Sequence, residues 1–141
     1  MMLPLDMLLV ESNPDDAGLI RQALAAGGHS STLSVLTDSQ AVLEHLRMPR
    51  PNHARQYPDI ILLDISMPGR DGYDTLKQLK ADPVLRSIPV IVLHPSSDPC
   101  DIRYAYENHA NCYVTKPVDR DEIQAVGLSI QHFWSSVAHR S

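Results

Sequence analysis

Two charged residues of this chain each follow a run of apolar residues directly. Asp64 comes after the large aliphatic residues 60–63, and Lys116 comes after residues 112–115. A strand that is apolar on both faces is buried in a parallel sheet, and open α/β sheets carry their chemistry at the carboxyl ends of such strands. Residues 67–72 contain one proline and two glycines, which predicts a turn. We therefore expect a loop to present Asp64 as a functional carboxylate.

Polar residues also follow the apolar runs at 7–10 and 90–93. The carboxyl ends of neighbouring parallel strands meet at one edge of a sheet. We therefore expect one crevice to gather Glu11, Ser12, Asp64, His94 and Lys116. Carboxylates that lie close together raise one another's pKa, so a cation is needed if both are to stay ionised. Mg²⁺ prefers hard oxygen ligands, and the sequence predicts that it binds here.

Apolar runs and amphipathic stretches alternate five times along the chain, which is typical of βα units around a parallel sheet. The predicted strands are residues 7–10, 32–36, 60–63, 90–93 and 112–115. The predicted helices are residues 14–26, 39–47, 73–81, 99–108 and 119–137. With right-handed crossovers, these elements indicate a flavodoxin-like (βα)5 doubly wound sheet of strand order 2-1-3-4-5.

Length and composition limit the classes of protein to consider. The 141 residues predict a single domain over 1–141, and 12 Lys and Arg against 17 Asp and Glu leave no basic surface for nucleic acid. Cys100 and Cys112 form no CxxC motif and no disulfide framework. No apolar run is long enough to cross a membrane, and the first residues do not resemble a signal peptide. We therefore expect a cytoplasmic protein without a nucleic-acid or membrane partner.

The segment 60–72 resembles the phosphoacceptor site of bacterial response-regulator receiver domains, and the resemblance extends over nearly the whole chain. In that family, an aspartate after strand 3 accepts a phosphoryl group from a kinase histidine. The resemblance implies that Asp64 is this aspartate and that Glu11, Asp64 and the backbone carbonyl of Ser66 hold Mg²⁺. It also implies that Lys116 contacts the phosphoryl group and precedes a cis proline, Pro117.

The first departure from the family pattern is Ser12, which stands where the second acidic residue after strand 1 normally binds the metal. A neutral hydroxyl does not replace a carboxylate's charge, so we expect Ser12 to be a weak ligand and Mg²⁺ affinity to be reduced. Asp15 or Asp16 could contribute a ligand instead. Their role as acids at the start of helix 1, where the dipole favours negative charge, is the preferred interpretation.

The second departure is His94, which replaces the family's hydroxyl residue after strand 4. His94 could donate a hydrogen bond to an acquired phosphate or titrate as a switch, and Ser96 could move inward in its place. Alternatively, His94 is a loop histidine without a role. Tyr113 on strand 5 matches the family's aromatic switch position, although packing is an equally good explanation for it.

The segments 111–119 and 130–134 resemble receivers that serve bacterial phytochrome-type histidine kinases. Phe133 and Trp134 are adjacent, so they cannot both face the core, although the helical pattern places Phe133 and Val137 inward. We predict an apolar surface patch and a homodimer through helix 4, strand 5 and helix 5. In the alternative, both aromatic side chains only anchor the end of the helix.

The sequence thus leaves two functional hypotheses. The first is a two-component response regulator that is phosphorylated on Asp64 by a sensor histidine kinase, for which the resemblance implies the phytochrome type. The second is a degenerate receiver that binds proteins without phosphorylation, and Ser12 and His94 keep it open. Zinc spacings, phosphate-binding glycine loops and a hydrolase nucleophile elbow are not present in the sequence, and we expect that the protein is not an enzyme.

Overall fold

The computed structural model describes residues 3–53, 55–66 and 72–138. Residues 67–71 of the turn predicted at 67–72 lie outside these ranges. The strands are β1 (Leu5–Val10), β2 (Ser31–Leu36), β3 (Ile60–Asp64), β4 (Val90–His94) and β5 (Cys112–Thr115). The α-helices are α1 (Pro14–Ala26), α2 (Val42–Arg47), α3 (Gly72–Ala81), α4 (Pro99–Glu107) and α5 (Arg120–His132). Short 3₁₀ turns lie at Ser39–Ala41 and Leu85–Ser87.

The five strands form one parallel sheet in the order β2-β1-β3-β4-β5, which confirms the predicted flavodoxin-like topology. Every residue of β1 and β3 is buried, whereas the edge strands β2 and β5 are partly exposed. Helices cover both faces of a doubly wound sheet, so its central strands must be apolar on both sides. The continuous apolar runs in the sequence reflect this burial.

Alternate residues of each central strand pack on opposite faces of the sheet. One core contains Leu8, Ile61 and Leu63, which pack against residues of α2, α3 and α4. The other contains Leu9 and Leu62, together with residues of α1 and α5. Burying a leucine side chain is worth roughly 1.5–3 kcal/mol, so both cores hold the strands firmly in place.

The register of the sheet brings the ends of the strands to one edge. Val10 pairs with Leu63, and Asp64 pairs with Leu93 of the next strand. The residues that directly follow these strands therefore lie at nearly the same height along the strand direction. Gly72 opens α3 so close to β3 that an added Cβ would lie 2.6 Å from the Cα of Ile65, so only glycine fits there.

The end of the last helix differs from the prediction. After His132, the chain continues as a π-helical turn over Phe133–Val137, in which the N–H of Ala138 donates to the carbonyl of Phe133 at 2.7 Å. A π turn rotates each residue through a smaller angle than an α-helix does. Trp134, four residues after Ile130, packs against the core, whereas Phe133 is 49% exposed and Val137, at the end of the π turn, is 58% exposed. The prediction that Phe133 and Val137 face inward is wrong.

Across the described ranges, the helices fall short of the length and apolar character that a transmembrane span requires.

Candidate functional site

The ammonium group of Lys116 joins three of the strand ends. Its Nζ lies 2.5 Å from Oε1 of Glu11 and 2.7 Å from Oδ2 of Asp64. Glu11 directly follows β1, Asp64 is the last residue of β3, and Lys116 directly follows β5. The structure therefore confirms that these three side chains meet in one crevice at the carboxyl edge of the sheet.

Both carboxylate oxygens of Asp64 are engaged. Oδ1 accepts hydrogen bonds from the N–H of Ser66 at 2.8 Å and from its hydroxyl at 2.5 Å, and Oδ2 accepts one from Lys116. Asp64 is only 1% exposed. Burial opposes its ionisation, but the hydrogen bonds from Lys116 and Ser66 outweigh burial and hold the pKa of Asp64 below its ordinary value. The side chain is therefore an ionised, oriented carboxylate at neutral pH.

Glu11 is also buried, with 1% of its surface exposed, but its carboxyl group is in a different electrostatic state. Its Oε2 accepts a hydrogen bond from the N–H of Asn13 at 3.2 Å. Burial raises the pKa of Glu11 to about 7, because the favourable hydrogen bond from Lys116 only partly offsets burial and the nearby Asp64 charge adds to it. Glu11 thus lies close to its titration point at neutral pH.

Lys116 carries the positive charge that holds this cluster together. Burial opposes its charge, but its hydrogen bonds to the surrounding carboxylates outweigh burial and raise the pKa of Lys116 above its ordinary value. Its backbone N–H donates to the carbonyl of His94 at 2.8 Å, which fixes the lysine beside β4. The peptide bond between Lys116 and Pro117 is trans, so the cis bond implied by the resemblance is wrong in this structure.

Asp16 is a member of the cluster that the preferred interpretation of the sequence missed. Its Oδ2 lies 2.9 Å from Nζ of Lys116. Ser12 is half-buried, and the ion pairs of the cluster link Lys116 to Glu11, Asp16 and Asp64. Asp16 is the third residue of α1, so the first turn of that helix brings its carboxylate to the cluster, and the spacing along the sequence gives no signal for this contact.

His94 and Tyr113 both bind the loop between β4 and α4. The Nδ1 atom of His94 lies 3.0 Å from the N–H of Ser96 and accepts its hydrogen bond, so the ring proton is assigned to Nε2. The Tyr113 hydroxyl donates to the carbonyl of Ser96 at 2.6 Å. The Ser96 hydroxyl donates to Asp101 of α4 at 2.5 Å, so it points toward that helix.

The comparison with protein families decides the classification. The family described as the response regulator receiver domain matches residues 7–126. That range begins within β1 and reaches into α5, so it contains β2 to β5, most of β1 and every member of the ion cluster. The chain belongs to the response regulator receiver domain family.

Three relatives show which receivers are similar over the full chain. A probable methanogenesis regulatory protein, FilR2 of Methanothrix harundinacea, is 37% identical over 93% of this chain and 84% of its own length. Response regulator Rcp1 of Synechocystis is 33% identical over 93% of this chain and 89% of its own. The crystal structure of the phosphorylated cyanobacterial phytochrome response regulator RcpA covers 98% of this chain and 99% of its own, with 34% identity and a TM-score of 0.86. The protein is thus a two-component receiver close to the phytochrome response regulators.

Receiver domains bind a divalent metal ion, and the Mn²⁺-bound form of Rcp1 matches this structure with a TM-score of 0.85 and 31% identity. The donor chemistry of this receiver fits such an ion, because carboxylate oxygens are the ligands that Mg²⁺ and Mn²⁺ prefer. Within the described ranges, however, no three acidic, histidine or cysteine side chains already form a metal cage. The carboxylates surround the ammonium at 2.5–2.9 Å, whereas Mg²⁺ needs oxygens at roughly 2.0–2.1 Å. A metal would therefore have to compete with Lys116.

Proposed function

We propose that Asp64 accepts a phosphoryl group from the phosphohistidine of a sensor kinase. The observation that carries this proposal is the pair of bonds from the Lys116 ammonium to Asp64 and Glu11 at the shared edge of the sheet. This arrangement places an ionised carboxylate beside a fixed positive charge. Phosphoryl transfer depends mainly on positioning and on charge stabilisation, and both are available here.

The chemistry uses the residues in distinct ways. An oxygen of Asp64 forms a bond to phosphorus as the bond between phosphorus and the histidine nitrogen breaks, and the product is an acyl phosphate. Ser66 orients the carboxylate, and Lys116 neutralises the oxygens of the transferring group. Glu11, Asp64 and the Ser66 carbonyl would hold Mg²⁺, with Ser12 as a weak neutral neighbour. When bound, the ion supplies further positive charge to the phosphoryl oxygens.

The β4–α4 loop is the proposed output element. His94 and Tyr113 both bind Ser96, and Ser96 binds Asp101, so a change at the loop is passed to α4. His94 accepts a hydrogen bond through Nδ1, which requires a neutral ring, and the other ring nitrogen stays available to donate to a phosphoryl group. We propose that His94 and Tyr113 exchange these loop contacts when Asp64 is phosphorylated.

A kinase of the phytochrome type is the proposed donor. The support is the likeness to Rcp1 and RcpA over nearly the whole chain, together with the bacteriophytochrome response regulator RtBRR at 33% identity and a TM-score of 0.70. The alternative function, binding without phosphorylation, is less well supported, because RcpA was crystallised in its phosphorylated form.

The proposed function is tested by intact-mass spectrometry after incubation with phosphoramidate and Mg²⁺. We expect one added phosphate on the wild type, complete loss of it in Asp64→Asn, and its retention in Asp74→Asn. Asp74 is the matched control, since it is an aspartate on the neighbouring helix α3. A wild-type protein that remains unmodified at high Mg²⁺ would support the binding-module alternative.

We also propose that the protein forms a homodimer through the apolar surface where β5 meets the end of α5. Exposed Phe133 lines a groove together with Ile91, Val114 and Trp134. An exposed apolar patch of this kind suits a second copy of the chain. We expect Phe133→Glu to convert a dimer into a monomer in light scattering, while Val84→Glu, at an exposed site elsewhere, leaves it dimeric. A monomeric wild type would contradict this proposal.

A further inference from the structure

Asp16 makes an ion pair that its position at a helix start does not require. It is the third residue of α1, and its carboxylate lies 2.9 Å from the Lys116 ammonium with 19% of its side-chain surface exposed. An acidic residue in the first turn is favoured by the helix dipole wherever its side chain points. Its direction toward Lys116 therefore needs a separate explanation.

The N-terminus of α1 is capped without help from Asp16. The Asn13 side chain accepts hydrogen bonds from the N–H groups of Asp15 and Asp16 at 2.9 and 3.3 Å. In a capping box, the side chain at the third helical position accepts the N–H of the capping residue. Here Glu11 accepts that N–H from Asn13 instead. The Asp16 carboxylate is thus free of the capping role and extends to Lys116.

The charges of the cluster show what Asp16 contributes. An ammonium group has three N–H donors, and among the residues that the structure describes Lys116 has three carboxylate partners, which are Glu11, Asp16 and Asp64. If a divalent ion binds the carboxylate oxygens of Glu11 and Asp64, the ion pairs of Lys116 with these two residues are lost. Asp16 then remains as its counter-ion and adds the negative charge that Ser12 lacks.

We propose that Asp16 replaces the acidic residue missing at position 12 and thereby supports divalent-metal binding at the phosphoacceptor site. The inference rests on the proposed function, since the metal assists phosphorylation of Asp64. Asp16 acts through Lys116 and through its charge, as a positioning residue. This role is possible because the first turn of α1 holds the Asp16 carboxylate 2.9 Å from the Lys116 ammonium.

The test measures Mn²⁺ binding by electron paramagnetic resonance and Mg²⁺ binding by competition. We expect Asp16→Asn to weaken binding of both ions about tenfold, as is usual for a residue that supports a metal site. Asp15→Asn is the matched control, because it removes the same charge from the same helix turn at an exposed position, and we expect less than about a twofold change. Ser12→Asp added to Asp16→Asn should restore wild-type affinity.

Three results would overturn the inference: equal metal affinity in Asp16→Asn and the wild type, equal loss in Asp15→Asn and Asp16→Asn, or failure of Ser12→Asp to restore binding. If one of these results is obtained while Asp64 is still phosphorylated in the wild type, the proposed function remains supported. A wild type that neither binds Mn²⁺ nor gains phosphate would overturn both. Far-UV circular dichroism should show native helix content in both asparagine variants, which separates loss of metal binding from loss of the fold.

Discussion

Replacing Lys116 with methionine is expected to lower the free energy of unfolding of the metal-free protein by about 3 kcal/mol at neutral pH. Methionine keeps much of the length of the lysine side chain but removes its charge. The buried carboxylates of Glu11 and Asp64 would then face each other without the cation that bridges them. Removing one partner of a buried ion pair costs more than the pair contributes, because the remaining charge stays buried. Urea unfolding followed by Trp134 fluorescence measures this loss.

The pH dependence of the Lys116→Met effect identifies its cause. The loss should shrink toward roughly pH 5, because protonation of Glu11 removes one of the two repelling charges. Arg21→Met is the control for loss of a positive charge, since Arg21 is exposed on α1 and its replacement should change stability by less than about 0.5 kcal/mol. A loss that is independent of pH would mean that the charge of Glu11 does not contribute to the stabilisation by Lys116.

Replacing Glu11 with glutamine is expected to change how the stability of the metal-free protein depends on pH. The pKa of Glu11 is raised from 4.5 to about 7 on folding, so between these values the folded state binds more protons than the unfolded state. The stabilising contribution of protonated Glu11 is complete below pH 4.5 and is lost as the pH rises through about 7. Relative to Glu11→Gln, the wild type should therefore lose up to about 3 kcal/mol across this window.

The measurement is a series of urea titrations of both proteins at several pH values. Subtracting the glutamine variant cancels titrations that the two proteins share. Asp64, whose pKa is lowered, acts in the opposite sense and only at more acidic pH, so it does not produce the same decline. Parallel curves for the wild type and Glu11→Gln would show that the Glu11 carboxyl group does not change its proton affinity on folding.

The positions and the order of the strands could be predicted from the sequence, because a strand that is buried on both faces is a continuous run of apolar residues. Residues 60–63 are apolar without a break, and they form the central strand β3, which is covered on both faces. The sequence predicted the first and last residues of the strands less accurately. β1 begins at Leu5 and β4 continues to His94, because pairing with neighbouring strands extends a strand beyond its most apolar residues.

The π turn at the end of α5 could not be read from the helical pattern. Ile123, Ile130 and Trp134 lie inward at the α-helical spacing i, i+7, i+11. A change of one residue in the hydrogen-bonding pattern alters which later side chains face the core, and Val137, seven residues after Ile130, is exposed instead of buried.

The sequence by itself determined the parallel sheet, its topology and the meeting of Glu11, Asp64 and Lys116, because each of these residues sits directly at the end of an apolar strand. Only the tertiary structure decided the partners of Asp16 and His94, since a side chain on a helix or a loop has several directions open to it. Packing of α1 against the sheet edge turned Asp16 toward Lys116, and the path of the β4–α4 loop gave His94 the N–H of Ser96. The register of the sheet fixes where each strand ends, whereas the contacts of Asp16 and His94 depend on how α1 and the β4–α4 loop pack against their neighbours.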